Sequence, residues 1–301
     1  LLLSACTPTA TSTIADASLL ITAATAAPSE TLEPAPTHTL QPLLPTPSIT
    51  PGAEGVVMGG SVTIGITQEP ASLNPLLTTT TTEAAIRSFL VEGLVEVDTN
   101  GQYIPVLAEA LPAVSAGGLV LTYSLKPGIR FSNGEAFTCA DVQFTLQAIL
   151  AEQAGTYPAG YGNINSIECV NDHTVVITFS QVYAPYLSLF SYIIPRSAGS
   201  LDTRSTWEYN RAPIGTGPWM VQSWEAGKRI TLSKNPYYRE TGKPYLDQII
   251  IQFVPNITDG ISKLISGKLT VFWELTEADL LTIREGKDVR YTGAPYGSGE
   301  N

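Results

Sequence analysis

The stretch Leu125-Lys126-Pro127-Gly128-Ile129-Arg130-Phe131-Ser132-Asn133-Gly134-Glu135, running on through Ala136 into Phe137-Thr138-Cys139-Ala140-Asp141-Val142, decides the fold class. Leu119, Leu121, Tyr123 and Leu125 lead into it at the period of a strand, and Lys126-Pro127-Gly128 supplies the turn that ends the strand. Ser132-Asn133-Gly134 has the composition of a turn that needs a positive backbone φ. A helix start follows, with Thr138 as cap, Asp141 three residues on, and Phe137 and Val142 placed as a hydrophobic staple. The helix is expected to run through Leu146 and Ile149 to about Glu152. Strand, turn and capped helix in direct succession make this a mixed α and β chain, an α/β architecture in the broad sense.

The same reading extends in both directions. Val62, Ile64 and Ile66 alternate as in a half-buried strand, with a turn signal at Glu69-Pro70, and Ile86, Phe89, Leu90 and Leu94 recur at helical spacing. Val175, Ile177 and Phe179 mark another strand, as do Ile230 with Leu232, and Ile249 with Ile251 and Phe253. Two further helices are expected, from Asp259 to Ser266 and from Glu277 to Glu285. The second has its own capping box at Thr276 and Asp279, a staple at Leu275 and Leu280, and a stop at Gly286. No internal repeat is present.

With 301 residues, 44% of them hydrophobic and 14% charged, the chain can bury a sizeable core. Its formal charge of −11 argues against a nucleic-acid partner, and a basic solute is compatible with it but not implied. No Lys or Arg precedes Arg87.

Residues 1–5 resemble the tail of an apolar signal segment, and Leu3-Ser4-Ala5-Cys6 resembles a bacterial lipobox, in which Cys6 becomes the lipid-bearing N-terminus. Each buried acyl methylene contributes about 0.8 kcal/mol, so two or more chains on Cys6 would anchor the protein to a membrane without crossing it. Residues 6–60 are rich in Thr, Ala, Pro and Ser and read as a disordered tether; the run from Leu19 to Ala27 could form a short helix whose register nothing fixes. No apolar run approaches the roughly 18 residues of a transmembrane helix.

Several motifs recur as a set: Glu69-Pro70-Ala71-Ser72-Leu73-Asn74-Pro75, Val91-Glu92-Gly93-Leu94-Val95, Tyr103-Ile104-Pro105 with Leu107-Ala108-Glu109, the stretch quoted first, Asp172-His173-Thr174-Val175, Pro213-Ile214-Gly215-Thr216-Gly217-Pro218-Trp219 and Asn235-Pro236-Tyr237-Tyr238. On these, from about Gly60 to about Gly267, the chain resembles family 5 of the extracytoplasmic solute-binding proteins that serve oligopeptide, dipeptide and nickel ABC importers. The resemblance implies a two-lobed clamp of the type II periplasmic-binding-protein kind, with an inserted subdomain and with the second lobe mostly missing from this chain. Residues 61–94 and 183–255 would form lobe I, 95–182 the inserted subdomain, and 256–301 the start of lobe II. One departure is noted: Ser266-Gly267-Lys268-Leu269 leads to Thr270 where the family carries an acid.

The resemblance further implies a small solute, first an oligopeptide held by main-chain hydrogen bonds, then nickel, a sugar or an opine as alternatives. It implies ABC permease subunits as partners, a monomeric state, and a location at the outer face of the cytoplasmic membrane. Thr78, Thr79, Thr80, Thr81 and Thr82 match the segment that pairs with ligand backbone in peptide-binding members, or form a solvated loop. Tyr157 and Tyr161 could make an aromatic lid or be ordinary loop aromatics, and Trp219 is read as mainly core with a lesser reading as a cleft residue.

An enzyme is not expected. The chain has two His: His38 lies in the tether, and His173 follows Asn171-Asp172 in what reads as a hairpin turn, which leaves no nucleophile–base pair and no metal-ligand spacing. No cofactor is implied. An exported protein permits a disulfide between Cys139 and Cys169, but the free and buried state is the favoured expectation.

Overall fold

The computed structural model describes residues 58–77, 80–151, 158–275 and 279, all within one unit, Gly55–Asn301. The lipid site, the expected tether up to residue 57, Thr78, Thr79, Tyr157 and all of the helix expected from Glu277 except Asp279 lie outside them.

The first sheet has the order β11-β1-β10-β9-β8, from β1 (Ser61–Ile66), β8 (Trp219–Glu225), β9 (Arg229–Lys234), β10 (Gln248–Phe253) and β11 (Val271–Phe272). β1 runs parallel to both β10 and β11, while β9 is antiparallel to β10 and to β8. Ile64 and Ile66 of β1 join Ile230, Leu232, Ile249 and Ile251 in the core, as their period-2 spacing requires. The far side of β1 is covered too. Gly65 faces Leu269 and Phe272, which form a small second cluster with Val254 and Ile261 beneath α3 (Ile257–Ile265).

A second sheet has the order β4-β5-β7-β6, from β4 (Ala113–Val114), β5 (Val120–Ser124), β6 (Ile164–Asn171) and β7 (Thr174–Phe179). Leu121 pairs with Ile177 and Tyr123 with Val175, and Val142, Leu146 and Ile149 of α2 (Cys139–Leu150) share the buried cluster with them. Two-residue turn Asp172-His173 joins β6 to β7. Its backbone carbonyls accept from Cys139 and Leu125, so the turn anchors both the start of α2 and the end of β5. A hairpin of β2 (Val95–Val97) and β3 (Tyr103–Pro105) lies in sequence between α1 (Thr81–Arg87) and this sheet.

Several expectations need correction. Cys139 and Cys169 are disulfide-bonded with Cα atoms 5.7 Å apart, joining the first residue of α2 to β6; only Cys139 is buried. The helix expected through Leu94 ends at Arg87, because the carbonyls of Phe89 and Leu90 accept from Trp219 and Gly217 rather than from the next helical turn. In residues 256–272, α3 packs against β11, and β11 adds a parallel strand to the first sheet. The Thr270 hydroxyl accepts from the Thr63 N–H at 3.2 Å. The folded unit also starts earlier than Ser61, since Gly59 donates to the Tyr245 carbonyl and Gly60 to the Asp247 carboxylate.

Candidate functional site

A groove of about 370 Å³ opens where the end of α1 meets the β2–β3 hairpin and the turn at Leu187–Ser191. Its apolar lining comes from Val91, Val95, Val97 and Leu187 with the ring of Tyr103. Its polar lining comes from Arg87, Ser88, Glu96, Ser188 and Ser191. A few polar groups on a largely apolar wall is the composition of a small-molecule site.

The turn that brings the two serines here is held under strain. Phe190 has φ 55°, a left-handed conformation that a bulky side chain rarely adopts. Its backbone N–H donates to the Tyr161 hydroxyl at 2.7 Å, its carbonyl accepts from Leu94 at 2.9 Å, and Tyr161 packs edge-on against its ring. Ile193 in turn donates to the Glu92 carbonyl at 3.0 Å, so residues 91–94 and 190–193 lie side by side and fix the groove between them.

Arg87 is the cation of the groove. Its guanidinium sits 5.4 Å from the Tyr192 ring centroid, with no carboxylate in ion-pair range among the described residues. Burial pulls its pKa below the ordinary arginine value, with the Tyr192 and Tyr209 phenols acting in the opposite direction. Glu96, also on the lining, has its carboxyl raised above the ordinary value by partial burial, with Arg239 pulling it back. Behind it Glu92 is buried and ion-paired to Arg239 at 2.5 Å; burial raises its carboxyl, which Arg239 opposes.

The residues singled out in the sequence are placed differently. Thr80 caps α1: its hydroxyl accepts from the Glu83 N–H at 3.1 Å, and the Glu83 carboxylate accepts from Thr80 N–H at 3.0 Å and Ala71 N–H at 2.9 Å. Thr81 is the exposed first residue of that helix. Thr80 and Thr82 line a separate depression of about 90 Å³ beside Gln68, Glu69 and Pro70, at the other end of α1, about 10 Å from Arg87 at 1.5 Å per residue. Tyr161 is 3% exposed and Trp219 5%, and both belong to the core cluster of the described residues. Tyr161 nevertheless bears on the groove through Phe190. Arg87, Ser188 and Ser191 were not singled out, although Arg87, the first cation in the chain, was a usable signal.

His173 sits in the exposed β6–β7 turn, its N–H donating to the Asn171 side chain at 2.8 Å. Among the described residues there is no group of three or more His, Cys, Asp or Glu able to hold a metal, and no helix long and apolar enough to cross a membrane.

Comparison with known proteins places this architecture. Residues 102–301 match the family described as bacterial extracellular solute-binding proteins, family 5, middle. Protein XP55 of Streptomyces lividans is 32% identical over 186 residues, covering 61% of this chain and 34% of that protein. The oligopeptide-binding protein AppA of Bacillus subtilis is 28% identical over 222 residues, covering 71% and 40%. The solved structure of AppA with a nonapeptide superposes with a TM-score of 0.69 at 26% identity, covering 76% of this chain and 47% of that one. AgaA from A. tumefacien R10, in complex with agropinic acid, gives 0.67 at 27% identity, covering 76% and 46%. The chain thus spans less than half the length of these relatives. A mixed α/β fold shared with these binding proteins, together with a family match over most of the chain, establishes that this protein belongs to the bacterial extracellular solute-binding proteins, family 5.

Proposed function

We propose that this chain is the solute-capturing portion of an extracytoplasmic lipoprotein that delivers a small solute, most readily an oligopeptide, to the permease of an ABC importer. The groove bounded by Arg87, Val91, Tyr103 and Ser191 carries the reading, since it joins an apolar wall to a few convergent polar groups in a chain of this family. The similarity to AppA, whose structure holds a nonapeptide, supports a peptide. A second lobe closing over the groove would complete the clamp, with residues 95–182 as the inserted subdomain. Thr78, Thr79 and Tyr157 remain proposed ligand contacts. Cys6 is the proposed lipid anchor, placing a monomeric protein on the outer face of the cytoplasmic membrane.

An opine is the second reading, favoured by the likeness to AgaA with agropinic acid. Native mass spectrometry of the full-length protein, produced without its lipid, separates these readings. A co-purifying intact peptide supports the first, a sugar-derived acid the second, and steady release of hydrolysed peptide would replace both with an enzyme. Detection of an unmodified Cys6 thiol in protein taken from its native membrane would remove the anchor.

A further inference from the structure

The groove contains one feature that solute capture by main-chain bonds does not use. Arg87 is the sole Lys or Arg in the first 125 residues, and it is placed in the lining of the groove. The guanidinium is half-buried, and among the described residues it makes no ion pair and no side-chain hydrogen bond. Its observed partner is the face of the Tyr192 ring, a contact that leaves the planar edge with its N–H donors unused. A cation in the last turn of a helix is ordinary, because it complements the negative end of the helix. That role is met equally well by a side chain extended into water. Here the side chain is instead partly withdrawn from water, and a partly buried charge without a counter-ion is unfavourable until a partner arrives.

The surroundings select the partner. The phenols that act on it are those of Tyr192 and Tyr209, and the Tyr209 hydroxyl is itself buried without a hydrogen-bond partner among the described residues. Ser191 adds a hydroxyl on the same lining that can donate to an oxygen anion, whereas the Ser88 and Ser188 hydroxyls already donate to the Ala85 and Pro185 carbonyls at 2.8 and 2.7 Å. A planar guanidinium edge with a hydroxyl donor on the same lining matches a carboxylate, which accepts two parallel N–H bonds. The net charge of −11 repels anions at long range, so any preference for a carboxylate has to be made locally.

We propose that Arg87 is the carboxylate anchor of the groove and that the solute bears a carboxylate that meets its guanidinium edge. This rests on the groove being the solute site. The guanidinium fixes which end of the solute enters, and the Ser191 hydroxyl completes the oxygen cradle.

The test exposes the full-length protein to a mixed library of tetrapeptides with and without Asp or Glu, each as free acid and as C-terminal amide, together with amino-acid conjugates of sugars and their amides. Retained compounds are read by mass spectrometry after desalting. Wild type is expected to enrich carboxylate-bearing members at least tenfold over matched amides. Arg87→Gln is expected to lose that preference, and Arg87→Lys to keep part of it, with thermal midpoints showing both variants folded. Retention without preference for the acid, or a preference that survives Arg87→Gln, overturns the anchor while leaving solute binding intact. Retention of nothing by wild type overturns solute binding at the groove and the anchor together. Should Arg87→Gln not fold, Arg87→Lys combined with Ser191→Ala is read instead: an undiminished acid preference there overturns the anchor.

Discussion

At the scale of single residues, the motif Ile214-Gly215-Thr216-Gly217 works by close approach of one backbone to another. A Cβ on Gly215 would lie 2.0 Å from the Leu90 carbonyl oxygen, while Gly217 and Trp219 donate to the carbonyls of Leu90 and Phe89 at 3.0 and 3.1 Å. Gly215→Ala is therefore expected to lower stability by about 2–3 kcal/mol in urea titrations, as overpacking against rigid backbone does; an unchanged midpoint would show that the segment yields freely. Gly134, by contrast, does what its turn composition predicts, with φ 88°. The Glu92–Arg239 pair makes a second case. Removing one partner of a buried pair costs about 3 kcal/mol or more, so Arg239→Ala should lose that much at pH 7. Burial already raises the folded-state pKa of Glu92, and such a group contributes fully below the ordinary carboxyl value and loses its contribution as pH rises through the raised one. Arg239→Ala raises it further. The deficit in thermal midpoint relative to wild type should thus shrink as pH falls from 8 towards 5, and a deficit constant with pH would argue against a charged Glu92 as its source.

Elements differ in how plainly the sequence announces them. β1, β5, β7, β9 and β10 were legible because their large core residues fall at alternate positions, and α2 was legible from its cap and staple, although its end at Leu150 comes before the expected Glu152. At that cap the Asp141 carboxylate accepts from the Thr138 N–H at 2.9 Å and the Arg196 N–H at 3.1 Å. Hence the cap also serves a distant loop. β8 escaped notice because its pattern is broken by a bulge between Val221 and Ser223, and β11 because two residues carry no period; pairing with β1 alone makes it a strand. The pairing of Cys139 with Cys169 depends on a Cα separation that arises only once α2 docks on β6. With 30 residues between its ends, this cross-link restricts the unfolded chain by about 3–4 kcal/mol on a loop-entropy argument. Cys139→Ala/Cys169→Ala should lower stability by up to that amount, and dithiothreitol should lower the wild-type midpoint without affecting the double variant. Equal midpoints in all four conditions would mean that docking of α2 already constrains these residues.

For the molecule as a whole, the proposed site lies on an open face of the folded unit. The groove is open, and Val97, Tyr103 and Ile104 beside or within it are 57%, 38% and 42% exposed. Exposed apolar surface of this kind in a binding protein is covered by a partner element or by ligand, and relatives more than twice the matched length have the chain to supply one. On the proposed clamp, residues 1–301 alone are expected to bind solute at least 100-fold more weakly than a chain that also carries a second lobe, as read by calorimetry with whichever compound co-purifies. Equal affinities would mean that one lobe suffices. The motifs disclosed the family through residues that build the fold, whereas the groove stayed hidden because Arg87, Ser188 and Ser191 converge only through the strained turn at Phe190.

The margins of both sheets carry a separate consequence. β11 and β4 have two residues each, and the opposite edges, β8 and β6, are interrupted by irregular register. Short or kinked borders offer no continuous row of unpaired amides on which another chain could template itself. Copies of this protein meeting at high concentration thereby resist stacking into fibrils through these borders.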